Sequence, residues 1–377
     1  MINITLLWMM LIPLALSIAT VFVLPKLSSD FDILSSAKFA GVGLVISLAI
    51  MAVAFSFGKG IKTGDTEIWS GQITGKKREH GSYVRSYSCN CVTTTSNGSS
   101  TTTCQTCYED HYTVDWTAQS TIGGYDIKSL DWTSSSVYKE PDPPFYTSIK
   151  TGEPCSKTHS YTNYIKAVPE SLFRPTASQL KEKFTGMVPA YPLHIFDYWH
   201  INRVIPVKLN VPDIADWNAK VSESLKSIGG KKQANFVIVL ANTDDPDYAY
   251  AIRDAWINGK KNDIVLIIGA PEFPKKASWV HVLALTDNEL FKVQLRDDIL
   301  ALDSLTADAV INTLSKDTME LYKRKRMRDF AYLDAEIDPP LWVNVTTIIF
   351  IIAAYIGFWI FGYRQSNTSF TRRRSYN

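Results

Sequence analysis

The 377 residues carry no excess of either charge. Lys and Arg number 39 and Asp and Glu 37, a net of +2, so the whole molecule lacks a nucleic-acid signature and nucleic acid is not an expected partner. Charge is sparse as well, at 20% of residues against about a quarter in ordinary soluble proteins. Catalytic motifs are missing: there is no phosphate-cradling G-x-x-x-x-G-K-[ST] loop, no G-x-S-x-G turn and no H-E-x-x-H helix. The six histidines, His80, His111, His159, His194, His200 and His281, are scattered, with no metal-ligand spacing on a helix. These absences remove the common nucleotide-hydrolase, serine-hydrolase and zinc-protease readings.

Charged residues are absent altogether from residues 6–24, 39–57 and 341–362. Each run is close to the roughly 20 residues that cross a hydrocarbon core as a helix. Trp342 and Tyr363 stand where interfacial aromatics belong. No Lys or Arg precedes the first run, and the run exceeds the usual apolar core of a signal peptide, so it reads as a span. Small residues in the second run, Gly41, Gly43, Ala49, Ala52 and Ala54, suit close packing in a transmembrane hairpin. Lys26 and Lys38 flank the loop between the first two spans, and Arg364, Arg372, Arg373 and Arg374 follow the third. Three spans put that loop and that tail on one side, the cytoplasmic side by the positive-inside rule. The residues between, 58–340, are then expected outside the cytoplasm, periplasmic or extracellular. Lys323, Arg324, Lys325, Arg326 and Arg328 oppose this, but they belong to a long domain, where charge has little influence on topology.

The expected fold class is an α+β membrane protein with three transmembrane helices, a β-rich module and an α/β module. The divisions are a two-helix hairpin at 1–57, a β-rich module at 58–195 and an α/β module at 196–330. A connector and third span follow at 331–363, and a basic tail at 364–377. TEIWSGQIT, YTVDWTAQS and YDIKSLDW are strand-like segments bounded by turn residues. Pro141, Pro143, Pro144 and Pro154 mark a loop region. After residue 204 the texture changes. Ile214, Trp217, Val221, Leu225 and Ile228 recur at helical steps, and Gly229-Gly230 then ends the helix. NFVIVLA, DIVLIIG and SWVHVLALT read as buried strands. Tyr248, Ile252 and Trp256 mark a second helix, ended by Gly259; residues 289–302 and 305–328 form two more, the last running towards the third span and broken at Pro339-Pro340.

Four of the five cysteines lie in SCNCVTTTSNGSSTTTCQTC, at Cys89, Cys91, Cys104 and Cys107. A polar run with no apolar side chain larger than Val92 joins the two pairs, which suits a hairpin tip with converging sulfurs. Four thiolates could hold a structural zinc. The same nesting allows Cys89–Cys107 and Cys91–Cys104 disulfides, which an oxidising compartment favours, although four cysteines permit three pairings. Either linkage is structural, substituting for a core the hairpin lacks. Cys155, with His159 four residues on, reads as a free thiol.

Asn242, Asp244, Asp245 and Asp247 follow the first buried strand. Ligands in open α/β sheets sit at the carboxyl ends of strands, and hard oxygens there suit calcium or magnesium. The same Asp-Asp-Pro is an ordinary helix start. Lys260, Lys261, Asn262 and Asp263 form a second turn, an anion site or a routine helix-ending loop.

The strand ending in an acidic turn, the helix with a late Trp, and WINGKKNDIVLIIG together resemble the TPM domain. This is a small α/β module often displayed beside a membrane helix in bacteria and chloroplasts. The resemblance covers residues 235–302, carried by Trp256, Gly259, Asn262 and the DIVLIIG strand. It implies membrane-protein maintenance, calcium binding or, in some members, phosphatase activity. The cysteine segment and the two preceding spans depart from that family. The arrangement as a whole resembles membrane proteins encoded in bacterial and tailed-phage genomes. The expected function is therefore a membrane-anchored, non-enzymatic interaction or maintenance domain, with the lipid bilayer and another membrane or envelope protein as partners. The alternative is a membrane-tethered, metal-dependent phosphatase-like hydrolase.

Overall fold

The computed structural model describes residues 4–27, 31–96, 99–168, 178–195 and 201–374. His200 and the expected boundary at residue 196 lie outside this set, as do the side chains of Tyr363 and Arg372–Arg374. In chain order the elements are α1 (Ile4–Leu27), α2 (Ile33–Thr63), β1 (Gly64–Ser96), β2 (Ser99–Ser120), β3 (Gly123–Trp132), α3 (Pro144–Ser148), β4 (Pro154–Thr162), α4 (Tyr164–Ala167) and α5 (Ser178–Lys183). They continue with β5 (Val204–Val207), α6 (Ile214–Lys232), β6 (Asn235–Ala241), α7 (Tyr248–Ala255), β7 (Asp263–Gly269), β8 (Trp279–Ala284), α8 (Leu290–Leu300), α9 (Ala307–Leu321) and α10 (Leu341–Arg374). The fold is mixed α and β, with two sheets.

One compact unit comprises residues 1–66, 160–175 and 326–377. Its helices α1, α2 and α10 are each long and apolar enough to cross a bilayer, the signature of a membrane protein. Met9, Met51, Ile351 and Tyr355 pack where the three meet. Two polar contacts tie α1 to α10: Ser17 Oγ lies 2.7 Å from Tyr355 Oη, and Trp359 Nε1 donates to Thr20 Oγ1 at 3.1 Å. Interhelical hydrogen bonds of this kind contribute about 1 kcal/mol in lipid. At the other end of α2, Gly58 allows close approach, since a Cβ there would stand 2.6 Å from the Pro339 side chain. Lys59 binds Asp334 at 3.0 Å nearby.

The second unit comprises residues 67–159 and 176–325. Its first sheet has the order β3-β2-β1-β4, with β1–β2 and β2–β3 antiparallel. Alternation along β2 buries Val114, Trp116 and Ala118. Cys155, on β4, is a free thiol packed with Ile73, Ala118, Tyr125 and Ile149. Pro154 is not in a loop as expected; it opens β4, at the first position of an outer strand, where no ladder donor is needed.

The second sheet has the order β5-β6-β7-β8, parallel through β7 with β8 antiparallel at its edge. Every residue of β6 and β7 is buried, as the continuous apolar runs require of strands covered on both faces. Phe236, Ile238, Leu240, Ile264, Leu266 and Ile268 face α6, α8 and α9; Val237, Val239, Val265 and Ile267 face α7. Three helix ends depart from expectation, the first being α7, which stops at Ala255 with Trp256 as its C-cap rather than running to Gly259. Gly229 and Gly230 do not end α6, which continues to Lys232. Gly229 instead serves close packing: a Cβ there would meet the Ser70 carbonyl oxygen at 2.2 Å. And α9 stops at Leu321 rather than near Arg328. The chain turns extended because Thr286 bridges Arg324, Asp287 N donates to the Lys323 carbonyl, and Lys325 N donates to that of Leu285. A 3₁₀ stretch, Met327–Glu336, follows.

Candidate functional site

Beyond the Tyr112–Trp132 pair, β3 has ended and β1 and β2 continue as a two-stranded ribbon. From Ser82 to Ser96 this ribbon extends about 45 Å. Isolated two-stranded hairpins are marginal in water, and here the cysteines are paired. Cys89 joins Cys107 and Cys91 joins Cys104, with Cα separations of 5.8 Å and 4.0 Å. A bulge makes both bridges possible. The register shifts by one residue between Cys89 and Val92, and Asn90 has a φ of 45°. Cys104 and Cys107, three residues apart, project from opposite faces of a strand. Cys89 and Cys91, two apart, would share a face without the extra residue. The bulge therefore gives each face of the ribbon one bridge. Tyr83, Val84, Tyr87, Val92 and Tyr108 are exposed along it.

A second device holds the ribbon's foot. His111 is buried, stacks on Tyr83 and places Nδ1 2.6 Å from Asp131 Oδ1. Tyr83 Oη donates to Asp131 Oδ2 at 2.5 Å. The Tyr83 hydroxyl, followed by His111, holds the Asp131 carboxyl below its ordinary range.

The acidic turn lies at the carboxyl end of β6. Asn242 Nδ2 donates to the Lys208 carbonyl, and Asp244 Oδ1 accepts from Ser278 Oγ at 3.0 Å. Lys183 of α5 reaches Asp245 at 2.5 Å and Asp247 at 3.1 Å. The Lys183 contact, ahead of other causes, lowers the Asp245 carboxyl from its ordinary value, and the two carboxylates raise the Lys183 ammonium. Asp247 occupies the N-cap position of α7 but makes no side-chain cap; Asp245 Oδ1 accepts the Asp247 N–H instead. The ammonium thus stands where a cation would sit on these two carboxylates. Among the described residues no group of three or more His, Cys, Asp or Glu side chains converges to hold a metal.

The Lys260–Asp263 turn follows three successive left-handed residues, Ile257, Asn258 and Gly259. It points into the protein. Asp263 is buried, accepts from Tyr191 Oη, Lys260 N and Asn235 Nδ2, and has its carboxyl pushed up by burial. Asn262, also buried, donates to the Ile68 carbonyl at 2.7 Å. Lys261 lies 3.3 Å from Glu67.

Glu67 centres a network that sequence reasoning missed. Its side chain is fully buried, and Arg324 donates to both carboxylate oxygens, at 2.9 Å and 2.7 Å. Trp69 Nε1 donates to it at 2.8 Å while stacking on His159. Nearby Arg203, also buried, donates to Ser70, Ser156 and Asn235; burial lowers its guanidinium to about 10, so it stays charged at neutral pH. Together Arg203–Ser70, Asn262–Ile68 and Lys261–Glu67 join the start of β1 to the amino-terminal edge of the parallel sheet, and Arg324, beyond α9, closes on the same carboxylate. That edge is the end away from the usual ligand crevice, and the arrangement is a charged weld. One signal was present: a carboxylate inside the strand pattern TEIWSGQIT, which demands a cationic partner if buried. Arg324 was obscured by the surrounding run of basic residues.

Comparison of the chain with protein-family models, curated proteins and solved structures returns no match.

Proposed function

We propose that this is a membrane-anchored, non-enzymatic protein that displays an interaction or maintenance domain on the extracytoplasmic side, with a TPM-like α/β module beneath a disulfide-stapled ribbon. One observation carries the reading. The ribbon is cross-linked twice yet leaves Tyr83, Tyr87 and Tyr108 exposed, and rigid aromatics at low entropic cost favour protein contacts. The disulfides support an oxidising compartment. The partner on this reading is another membrane or envelope protein. The test is a photo-crosslinking residue at Tyr87 or Tyr108 in cells. One recurrent protein adduct is expected, diminished when Cys89 and Cys107 are both replaced by Ser. An absence of adducts at both positions sinks the proposal.

A second reading, a calcium- or magnesium-dependent phosphatase-like hydrolase, is favoured by the placement of Asp244, Asp245 and Asp247 at a strand's carboxyl end. It requires a metal to displace Lys183. Phosphate release that a chelator abolishes, and that Asp245→Asn also abolishes, would select it over the first.

A further inference from the structure

The three membrane helices leave one side of their bundle unfilled. A cavity of about 480 Å³ lies along residues 38–50 of α2 and 351–358 of α10, with Thr20 of α1 at its back. That is the size of a small-molecule site. Tyr355 lines it without filling it, because its hydroxyl is held against Ser17 of α1 and its ring lies over Gly43 of α2. On the α2 wall Gly43 contributes no side chain, and on the α10 wall Ala354 contributes only a methyl group. Val42 and Ile46, along the open side, are 60% and 55% exposed, so the groove faces lipid.

Its ends are chemically distinct. Lys38 and Phe39 form one, with Phe39 packed on Phe358 at 5.2 Å. The other is closed by Ile50 and Ile351. Lys38 and Lys59 bound the uncharged part of α2 and are about 31 Å apart along the helix, matching the hydrocarbon thickness. Lys38 therefore sits at phosphate depth. From Lys38 to Ile50 is about 18 Å, slightly more than the roughly 15 Å of one leaflet's hydrocarbon.

We propose that this groove is a binding site for an anionic phospholipid, with one acyl chain laid along residues 42–50 of α2 and the phosphate on Lys38 Nζ. The groove has the direction, length and polarity gradient of a single leaflet-bound chain. An ammonium at its mouth selects a headgroup with net negative charge.

The full-length protein, purified in detergent, is loaded with phosphatidylglycerol or phosphatidylcholine and weighed intact under native conditions. One tightly retained phosphatidylglycerol per chain is expected, preferred about fivefold over phosphatidylcholine, the effect of one lysine at a charged surface. Lys38→Gln should remove the preference. Ala354→Phe should remove retention of both lipids. Ile46→Trp, on the facing α2 wall, serves if Ala354→Phe does not fold as judged by circular dichroism. Undiminished retention in the folded groove variant overturns the site. A preference unchanged by Lys38→Gln overturns the headgroup assignment. Dimers that the groove variant converts to monomers would make the occupant a second copy of this chain, and that also overturns the proposal.

Discussion

Glu67 shows what a single residue contributes. A buried carboxylate facing Arg324 and Lys261 is stable because both cations neutralise it, and removing one member of such a set leaves buried charge uncompensated. Glu67→Gln keeps the shape and removes the charge. The expected loss is about 3 kcal/mol, the low end for a broken buried pair because the two cations retain some water access. A drop in the urea midpoint at unchanged slope checks it; an unchanged midpoint would show that the network contributes no net stability. His281 gives the pH counterpart. Burial first, then Arg253, Lys292 and Arg296, holds its imidazole below the ordinary histidine value of about 6.5, and the ring meets Tyr250 edge-on. The unfolded chain then binds the proton more readily than the folded one just below pH 6.5. Its contribution is present above that value and lost as pH falls through the folded pKa. Stability should fall on acidification below pH 6.5, and His281→Gln should flatten that part of the profile; a parallel profile in the variant refutes the assignment. Neither residue was conspicuous in the sequence. Burial of Glu67 depends on Arg324, 257 positions away, and local pattern carries no record of such a partner.

At the scale of elements, the legible and illegible parts divide by the range of the forces involved. β6 and β7 coincide with NFVIVLA and DIVLIIG, since continuous apolar runs between turn residues report burial directly. The ends of α6 and α9 were misread because tertiary contacts set them: the Ser70 carbonyl against Gly229, and the Thr286–Arg324 bridge. The cysteine segment was legible as a linked hairpin, but the bulge at Asn90 was not. That bulge assigns one bridge to each face, so the bridges act on the same strands from both sides. In the chain-entropy model a disulfide across a loop of about 15 residues contributes roughly 3 kcal/mol. Replacing Cys91 or Cys104 by Ser should speed amide exchange throughout the ribbon, whereas Cys155→Ser, in the sheet core, should leave the ribbon unchanged. Intact mass of the unreduced protein should show a deficit of four hydrogens. Four full-mass thiols with one bound zinc would replace the disulfides by a metal knuckle, and four metal-free thiols would remove the cross-link altogether.

Across the whole molecule, the membrane assignment was legible because bilayer thickness imposes a length and hydrocarbon excludes charge. The association of the β-rich and α/β textures in one unit was not, since it depends on Glu67, Arg203 and Asn262, whose partners are distant in sequence. Sidedness follows from a different asymmetry, and it supplies the last prediction. By the positive-inside rule, Lys26 and Lys38 beside the short loop, with Arg364 and Arg372–Arg374 after the third span, predict those segments on the cytoplasmic side. Arg324, in the opposing basic cluster, is tied to Glu67 within the folded domain, so part of that charge is neutralised. The disulfides favour an oxidising compartment for the ribbon, an argument independent of charge placement. Protease added outside intact cells or spheroplasts should therefore digest residues 58–340 and spare the basic tail. An impermeant thiol reagent should label an engineered exposed cysteine at Ser136 but not one in the tail. If the large domain is protected and the tail is cut, the orientation is reversed. The ribbon would then face a reducing compartment, where Cys89, Cys91, Cys104 and Cys107 would persist as thiols or a zinc site. The topology measurement and the mass measurement thus constrain each other, and an inward-facing domain carrying two intact disulfides would contradict the compartment argument itself.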